Sequence, residues 1–178
     1  MKFVILDRDG VINRDSDDFV KSPDEWEAIP KSLEAMAKLT QAGYRVVIAT
    51  NQSGIGRGLF DMDTLNAIHN KMRDALQALG GRIDAIFYCP HTDAANCACR
   101  KPKPGLFLAI AERFDVDLKS VCVVGDSLRD IEAPAALGAR PVLVLTGKGQ
   151  KTYAEHALPE GTLVFDDLAA VAEYLLNA

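Results

Sequence analysis

The sequence predicts an α/β protein built on a doubly wound parallel sheet, capless, with one Cys/His-rich loop set into it. Three observations carry that expectation. Six short runs rich in Val and Ile recur along the chain, helical patterns fall between them, and the runs end in polar loops of small residues. Several runs are apolar throughout, as parallel strands covered on both faces must be. Strand alternating with helix implies crossover connections and parallel pairing.

Strands are predicted at 2–6, 44–49, 85–88, 120–124, 141–145 and 162–165. Pro30 opens a segment in which Leu33, Met36, Ala37 and Leu39 recur at helical spacing, and Gly43 closes it. Asp61 can cap a longer helix with Leu65, Ile68, Met72, Leu76 and Leu79 on one face. Similar patterns cover 106–114, 128–137 and 167–176, and the Leu and Met stripes read as core. The longest irregular stretches are 13–29 and 89–105. No repeat, linker or low-complexity tract interrupts the chain, so residues 1–178 read as a single domain. No insertion is long enough to form a cap, which leaves an open site walled by loops.

With 178 residues the chain can bury a sizeable core, and 48% hydrophobic against 25% charged residues is an ordinary soluble balance. A net charge of −5 argues against nucleic acid or an anionic membrane as partner, since both need a basic face. No apolar run approaches a bilayer's thickness and no leader precedes the first strand, so a cytoplasmic protein is expected. Nothing calls for more than a monomer. Four cysteines in that compartment suit metal ligation or the core better than disulfides.

Four strand ends carry chemistry. Asp7-Arg8-Asp9-Gly10 sets two carboxylates two residues apart, followed by a glycine that lets the backbone turn away. Such a pair suits a metal site, or a nucleophile beside a general acid. Thr50-Asn51-Gln52-Ser53-Gly54 offers a hydroxyl, amides and backbone N–H groups that match phosphate oxygens. Arg100-Lys101-Pro102-Lys103-Pro104-Gly105 is a basic run that its prolines should hold extended. Gly125-Asp126-Ser127-Leu128-Arg129-Asp130 returns two further carboxylates. Between the second and third of these lie Cys89, His91, Cys97 and Cys99, three thiols and an imidazole within eleven residues. They satisfy a tetrahedral Zn²⁺ site, and with all four positions filled by protein the zinc would be structural. Asp15, Ser16, Asp17 and Asp18 can accept hydrogen bonds from sugar or other hydroxyls, or simply form a solvated acidic loop. Cys122 reads as core, and His69 and His156 as partnerless residues on surface segments.

The order DxDG, TNQSG, Lys, GDSxxD resembles the haloacid dehalogenase superfamily, whose fold is Rossmann-like, and the match runs the length of the chain. A capless chain with CxH and CxC before RKPxPG is similar to its histidinol-phosphatase-like subfamily. That resemblance implies a Mg²⁺-dependent phosphatase. Asp7 would be the nucleophile and Asp9 the general acid and base, with Thr50 and Lys101 on the phosphoryl oxygens. Asp7, Asp126 and the Asp9 backbone carbonyl would hold Mg²⁺, with Asp130 either orienting its waters or lying exposed on a helix. Asp15 to Asp18, Thr50 to Ser53, Arg100 and Lys101 would contact substrate, Lys103 being left solvated. Ser127 stands where some members carry a basic residue. The substrate would be a phosphorylated sugar carrying two phosphates, or histidinol phosphate; Arg14, Arg57, Arg100 and Arg129 favour the former as a second anion site. A polynucleotide 3′-phosphatase is disfavoured by the acidic charge. A zinc-stabilised binding module without catalysis is the reading of another class.

Overall fold

The computed structural model describes residues 1–178. Six parallel strands, β1 (Phe3–Leu6), β2 (Arg45–Asn51), β3 (Ala85–Cys89), β4 (Cys122–Gly125), β5 (Arg140–Val144) and β6 (Leu163–Phe165), form one sheet in the order β3-β2-β1-β4-β5-β6. All six correspond to the runs read from the sequence. In the two central strands every side chain is covered, and each Ile or Leu so buried contributes about 2 kcal/mol.

Alternation along the strands divides the core between two faces. Val4, Leu6, Val46, Ile48 and Val124 meet α1 (Ser32–Gln41), α2 (Met62–Gln77) and α6 (Leu168–Asn177) on one side. Phe3, Ile5, Val47, Ala49 and Val123 meet α3 (Gly105–Phe114) and α4 (Leu128–Ala136) on the other. Asp61 does cap α2, its carboxylate accepting from Thr64 N–H at 2.9 Å. That helix stops at Gln77, so Leu79 lies beyond it and is exposed. A further helix, α5 (Gly149–Glu155), has no apolar stripe to betray it in the sequence. His69 departs from expectation more sharply: it is buried on the inner face of α2 and its imidazole meets Arg8.

The chain reverses its winding between β1 and β4, and the connections that follow these strands pass to opposite faces of the sheet, which leaves a crevice there. Register sets Leu6 beside both Ile48 and Val124, so the residues after β1 and β4 emerge side by side. Gly10 turns the first loop with φ of +85°, and a Cβ there would collide with the Asp126 carboxylate. Gly147, at φ +55°, meets the same carboxylate from the β5 side. Gly10→Ala should therefore destabilise the fold by more than about 1 kcal/mol, read as a lower denaturation midpoint, and push Asp126 out of place.

Candidate active site and Cys/His cluster

The crevice holds a cavity of about 250 Å³ lined almost wholly by polar residues, Phe19 and Val20 being the apolar exceptions. Asp7 leaves β1 and Asp126 leaves β4, while Asp130 comes from the first turn of α4. One carboxylate oxygen from each lies within 4.8 Å of the others, close enough to share a cation. Asp130 is buried, which removes the reading of it as an exposed helical acid. Its Oδ2 accepts from Asp126 N–H, Ser127 N–H and the Ser127 hydroxyl, closing the cap of α4. Its Oδ1 lies 2.8 Å from Lys101 Nζ. Asp130 is thus committed to the protein, whereas Asp7 and Asp126 retain free oxygens facing the cavity.

Lys101 is the cation inside this cluster. Only 2% exposed, its ammonium donates to Asp7 Oδ1 at 3.1 Å and to the Ala49 carbonyl at 2.8 Å, besides pairing with Asp130. One ammonium does not balance three carboxylates. Burial, reinforced by the charge of Asp130 and opposed by Lys101, pushes Asp7 up to about 7. Burial and the neighbouring Asp130 and Asp7 charges also raise Asp126 well above the usual carboxylate range. Burial alone would lower Lys101, but Asp130 and Asp7 outweigh it and hold the ammonium charged. The donor set, hard oxygens short of positive charge, fits a divalent cation such as magnesium.

Asp9 sits beside this group in a different electrostatic setting. Its Oδ1 accepts from Arg8 Nε and Nη2 at 3.0 and 2.8 Å and from Asn13 Nδ2 at 2.8 Å. Its Oδ2 accepts from Gln52 Nε2 at 3.0 Å and lies on the cavity side. Burial works to raise this carboxyl, but the Arg8 charge and the Asn13, Arg8 and Gln52 hydrogen bonds bring it below its ordinary value.

The walls hold most, not all, of the expected contacts. Asp15, Ser16, Asp17, Asn51, Gln52, Ser53 and Arg100 line the cavity with Lys101. Asp18 does not: it faces solvent at the point where the loop turns, the next residue, Phe19, adopting φ of +66°. Thr50 is buried in β2, where its hydroxyl accepts from Gln52 Nε2 at 3.0 Å and supports that side chain instead of facing the cavity. Arg14 points away and pairs with Glu27 at 3.4 Å, but Arg57 and Arg129 stand with Arg100 at the rim. Lys148 joins them, a residue that sequence reasoning missed although glycines flank it directly after β5. Its N–H donates to Asp126 Oδ2 at 2.9 Å, and its ammonium reaches Asp15 at 3.5 Å.

The third wall is the loop after β3. Sulfurs of Cys89, Cys97 and Cys99 and Nδ1 of His91 lie within 4.8 Å of one another. Cys89 Sγ is 3.0 Å from Cys99 Sγ, 3.6 Å from Cys97 Sγ and 3.4 Å from His91 Nδ1. A tetrahedral S₃N zinc site has edges of about 3.7 Å, so this donor set fits that ion with small adjustments. Burial pushes the Cys89 thiol up to about 12, whereas Cys97, despite burial, is brought down to about 6 by the N–H groups of Arg100 and Cys99.

From this cluster the chain runs into the basic segment, which turns instead of extending: Lys103 N–H donates to the Arg100 carbonyl at 2.8 Å. Asn51 clamps the Lys101 backbone from both sides, accepting from its N–H at 3.0 Å and donating to its carbonyl at 3.1 Å. Arg100 is steadied by Asp93 at 2.7 Å. Lys103 bonds Asn96 and the Cys97 carbonyl outside the cavity, so Lys101 is the lysine at the site.

Comparison with known proteins agrees with this arrangement. A family model described as HAD-hydrolase-like matches residues 98–171. The D-glycero-beta-D-manno-heptose-1,7-bisphosphate 7-phosphatase of Bordetella bronchiseptica is 64% identical over 177 residues, covering 99% of both chains. The enzyme of that name from Pseudomonas aeruginosa is 55% identical over 174 residues, covering 98% of this chain and 97% of its own. A crystal structure of the B. bronchiseptica D,D-heptose 1,7-bisphosphate phosphatase complexed with magnesium and phosphate superposes with a TM-score of 0.98 over 99% of each chain, at 64% identity. Likeness of that depth along the full length places the chain in the heptose-1,7-bisphosphate 7-phosphatase family of HAD-like hydrolases.

Proposed function

We propose that this protein is a phosphatase that removes the C7 phosphate of D-glycero-beta-D-manno-heptose 1,7-bisphosphate, in the ADP-heptose branch of lipopolysaccharide core synthesis. The observation that supports the reading is the cavity itself, which Asp7, Asp9, Lys101 and Asp126 line together. Its relatives bear that activity in their names.

In this reading Asp7 attacks phosphorus in line, the bond from phosphorus to the sugar oxygen breaks, and Asp9 Oδ2 protonates the departing alkoxide. Water then attacks the aspartyl-phosphate, gives its proton to Asp9, and releases phosphate with Asp7 restored. Arg8 holds Asp9 ionised in the free protein, which suits the second half-reaction. The first requires a proton on Oδ2, and an arriving phosphate dianion favours one by like-charge repulsion. Lys101 would neutralise phosphoryl oxygens, with Ser53 and Asn51 offering further hydrogen bonds. Asp7, Asp126 and the Asp9 carbonyl would hold magnesium, which when bound offsets the repulsion between nucleophile and phosphate. Cys89, His91, Cys97 and Cys99 would hold a structural zinc that fixes the loop presenting Arg100 and Lys101.

The rim favours a substrate with a second anion. Arg57, Arg100, Arg129 and Lys148 gather there, which suits the distant C1 phosphate and repels the ammonium of histidinol phosphate. The acidic loop 15–17, which lines the cavity, would accept hydrogen bonds from sugar hydroxyls.

Asp7→Asn should lower kcat by about three orders of magnitude or more without loss of folding. The specificity constant for the heptose bisphosphate should exceed that for histidinol phosphate; the reverse order overturns the substrate assignment. Lys101→Met leaves Asp7 and Asp130 buried and unpaired, so without magnesium it should cost about 3 kcal/mol of stability, and added magnesium should restore part of it. Metal analysis should find a single zinc ion per chain, and Cys97→Ser should lower both zinc content and the yield of folded protein.

A further inference from the structure

The Arg8 guanidinium lies wholly inside the protein, 0% exposed, and its placement follows from what surrounds it. Two of its nitrogens, Nε and Nη2, are spent on Asp9 Oδ1. The third, Nη1, lies 3.1 Å from Nε2 of His69, a residue 61 positions away on α2. Arginine has donors only, so Nε2 must be the acceptor and the imidazole must carry its proton on Nδ1. The surroundings agree with a neutral ring: burial, with the Arg8 charge and then Arg73 acting against Asp9, pushes His69 down to about 3.

His69 is itself anchored. It is buried between Leu65, Ile68 and Met72 along α2, and one edge of the ring borders a shallow cavity formed with Asn66, Asn70, Arg73, Ile86 and Tyr88. The helix thus fixes the imidazole, the imidazole fixes one end of the guanidinium, and the other end fixes Oδ1 of Asp9. With Oδ1 taking three donors, Oδ2 is the oxygen left turned toward the cavity.

We propose that His69 is a positioning residue for proton transfer: it holds Arg8 so that Asp9 presents Oδ2, and only Oδ2, to the leaving oxygen. This rests on the reading of Asp9 as general acid and base. Without the acceptor at His69, the guanidinium is free to rotate about its last bonds to find another partner, and Oδ1 loses the fork that fixes its plane.

The test uses leaving groups. An aryl phosphate such as p-nitrophenyl phosphate releases a weakly basic oxygen that needs no proton, whereas the sugar phosphate releases an alkoxide that does. His69→Leu should lower kcat/KM for the heptose bisphosphate by about 10- to 100-fold, since general acid catalysis contributes roughly 10²–10⁴. For the aryl ester kcat/KM should change by less than about threefold, because that constant ends at release of the leaving group, before Asp9 is needed as a base toward water. His69→Gln, whose side-chain oxygen can accept from Arg8 where Nε2 did, should recover most of the loss. Asp9→Asn serves as the reference and should show the same split more strongly. If Asp9→Asn shows no split, the acid assignment fails. If it does, while His69→Leu lowers kcat/KM of both esters equally or His69→Gln gives no rescue, the positioning inference alone fails. Nitrogen NMR of the imidazole in the unaltered magnesium-loaded protein gives a reading independent of how the variants fold. The Nδ1–H tautomer is expected at neutral pH, and a proton on Nε2 would overturn the proposal.

Discussion

Lys101 reaches from the Cys/His loop to the ends of β1 and β4, and its ammonium makes the burial of Asp7 and Asp130 tolerable. Carboxylates at this density repel one another, and each pays in lost hydration for leaving water. One lysine offsets part of that cost. What remains shows in the raised Asp7 and Asp126, a site held short of positive charge by its own sequence. Such a cavity draws in a divalent cation without an encircling set of protein ligands. The strain between these charges is the thermodynamic counterpart of metal affinity.

The same lysine joins two parts that would otherwise be independent. Its backbone is clamped by Asn51 at the end of β2, and the loop carrying it is folded around the three sulfurs and one imidazole nitrogen. A ten-residue excursion with little apolar content cannot pack itself, so a metal there would supply the cohesion that side chains lack. Proposed zinc and proposed chemistry are connected through the position of one ammonium. Loss of the metal would therefore be felt as misplacement of Lys101 before it was felt as unfolding.

Much of this was legible in the sequence for identifiable reasons. The strands are short, continuous apolar runs bounded by polar loops, a pattern that parallel sheets impose because both faces are covered. The carboxylates and thiols lie at fixed, short spacings that chemistry demands locally. What escaped depends on local folding back of the chain at two positions and on contacts distant in sequence at two others. Thr50 reads as a cavity hydroxyl until Gln52 folds back over it, and Asp18 as a member of the acidic wall until Phe19 turns the chain. Lys148 and His69 have no motif around them that declares a function. Each acquires its place from an element more than twenty residues away, Asp126 for the one and Arg8 for the other. Helix α5 was silent because it offers no apolar stripe.

Asp9 and the rim answer different demands with the same means. The proposed chemistry asks for one oxygen held fast and one less engaged, and the fork of Arg8 with Asn13 on Oδ1, against the single Gln52 bond on Oδ2, supplies that asymmetry from groups whose positions are fixed by packing. Specificity in a site without a cap needs groups that can yield to a ligand. Lys148 and Asp15 meet across the opening at 3.5 Å, the lysine about half exposed. An ion pair of that kind is worth at most about 1 kcal/mol. A substrate phosphate can take Lys148, and a sugar hydroxyl can take Asp15, at little expense to the protein. The interior is rigid because its charges are buried, and the rim is adaptable because its charges are not; burial alone separates the part that does chemistry from the part that chooses what enters.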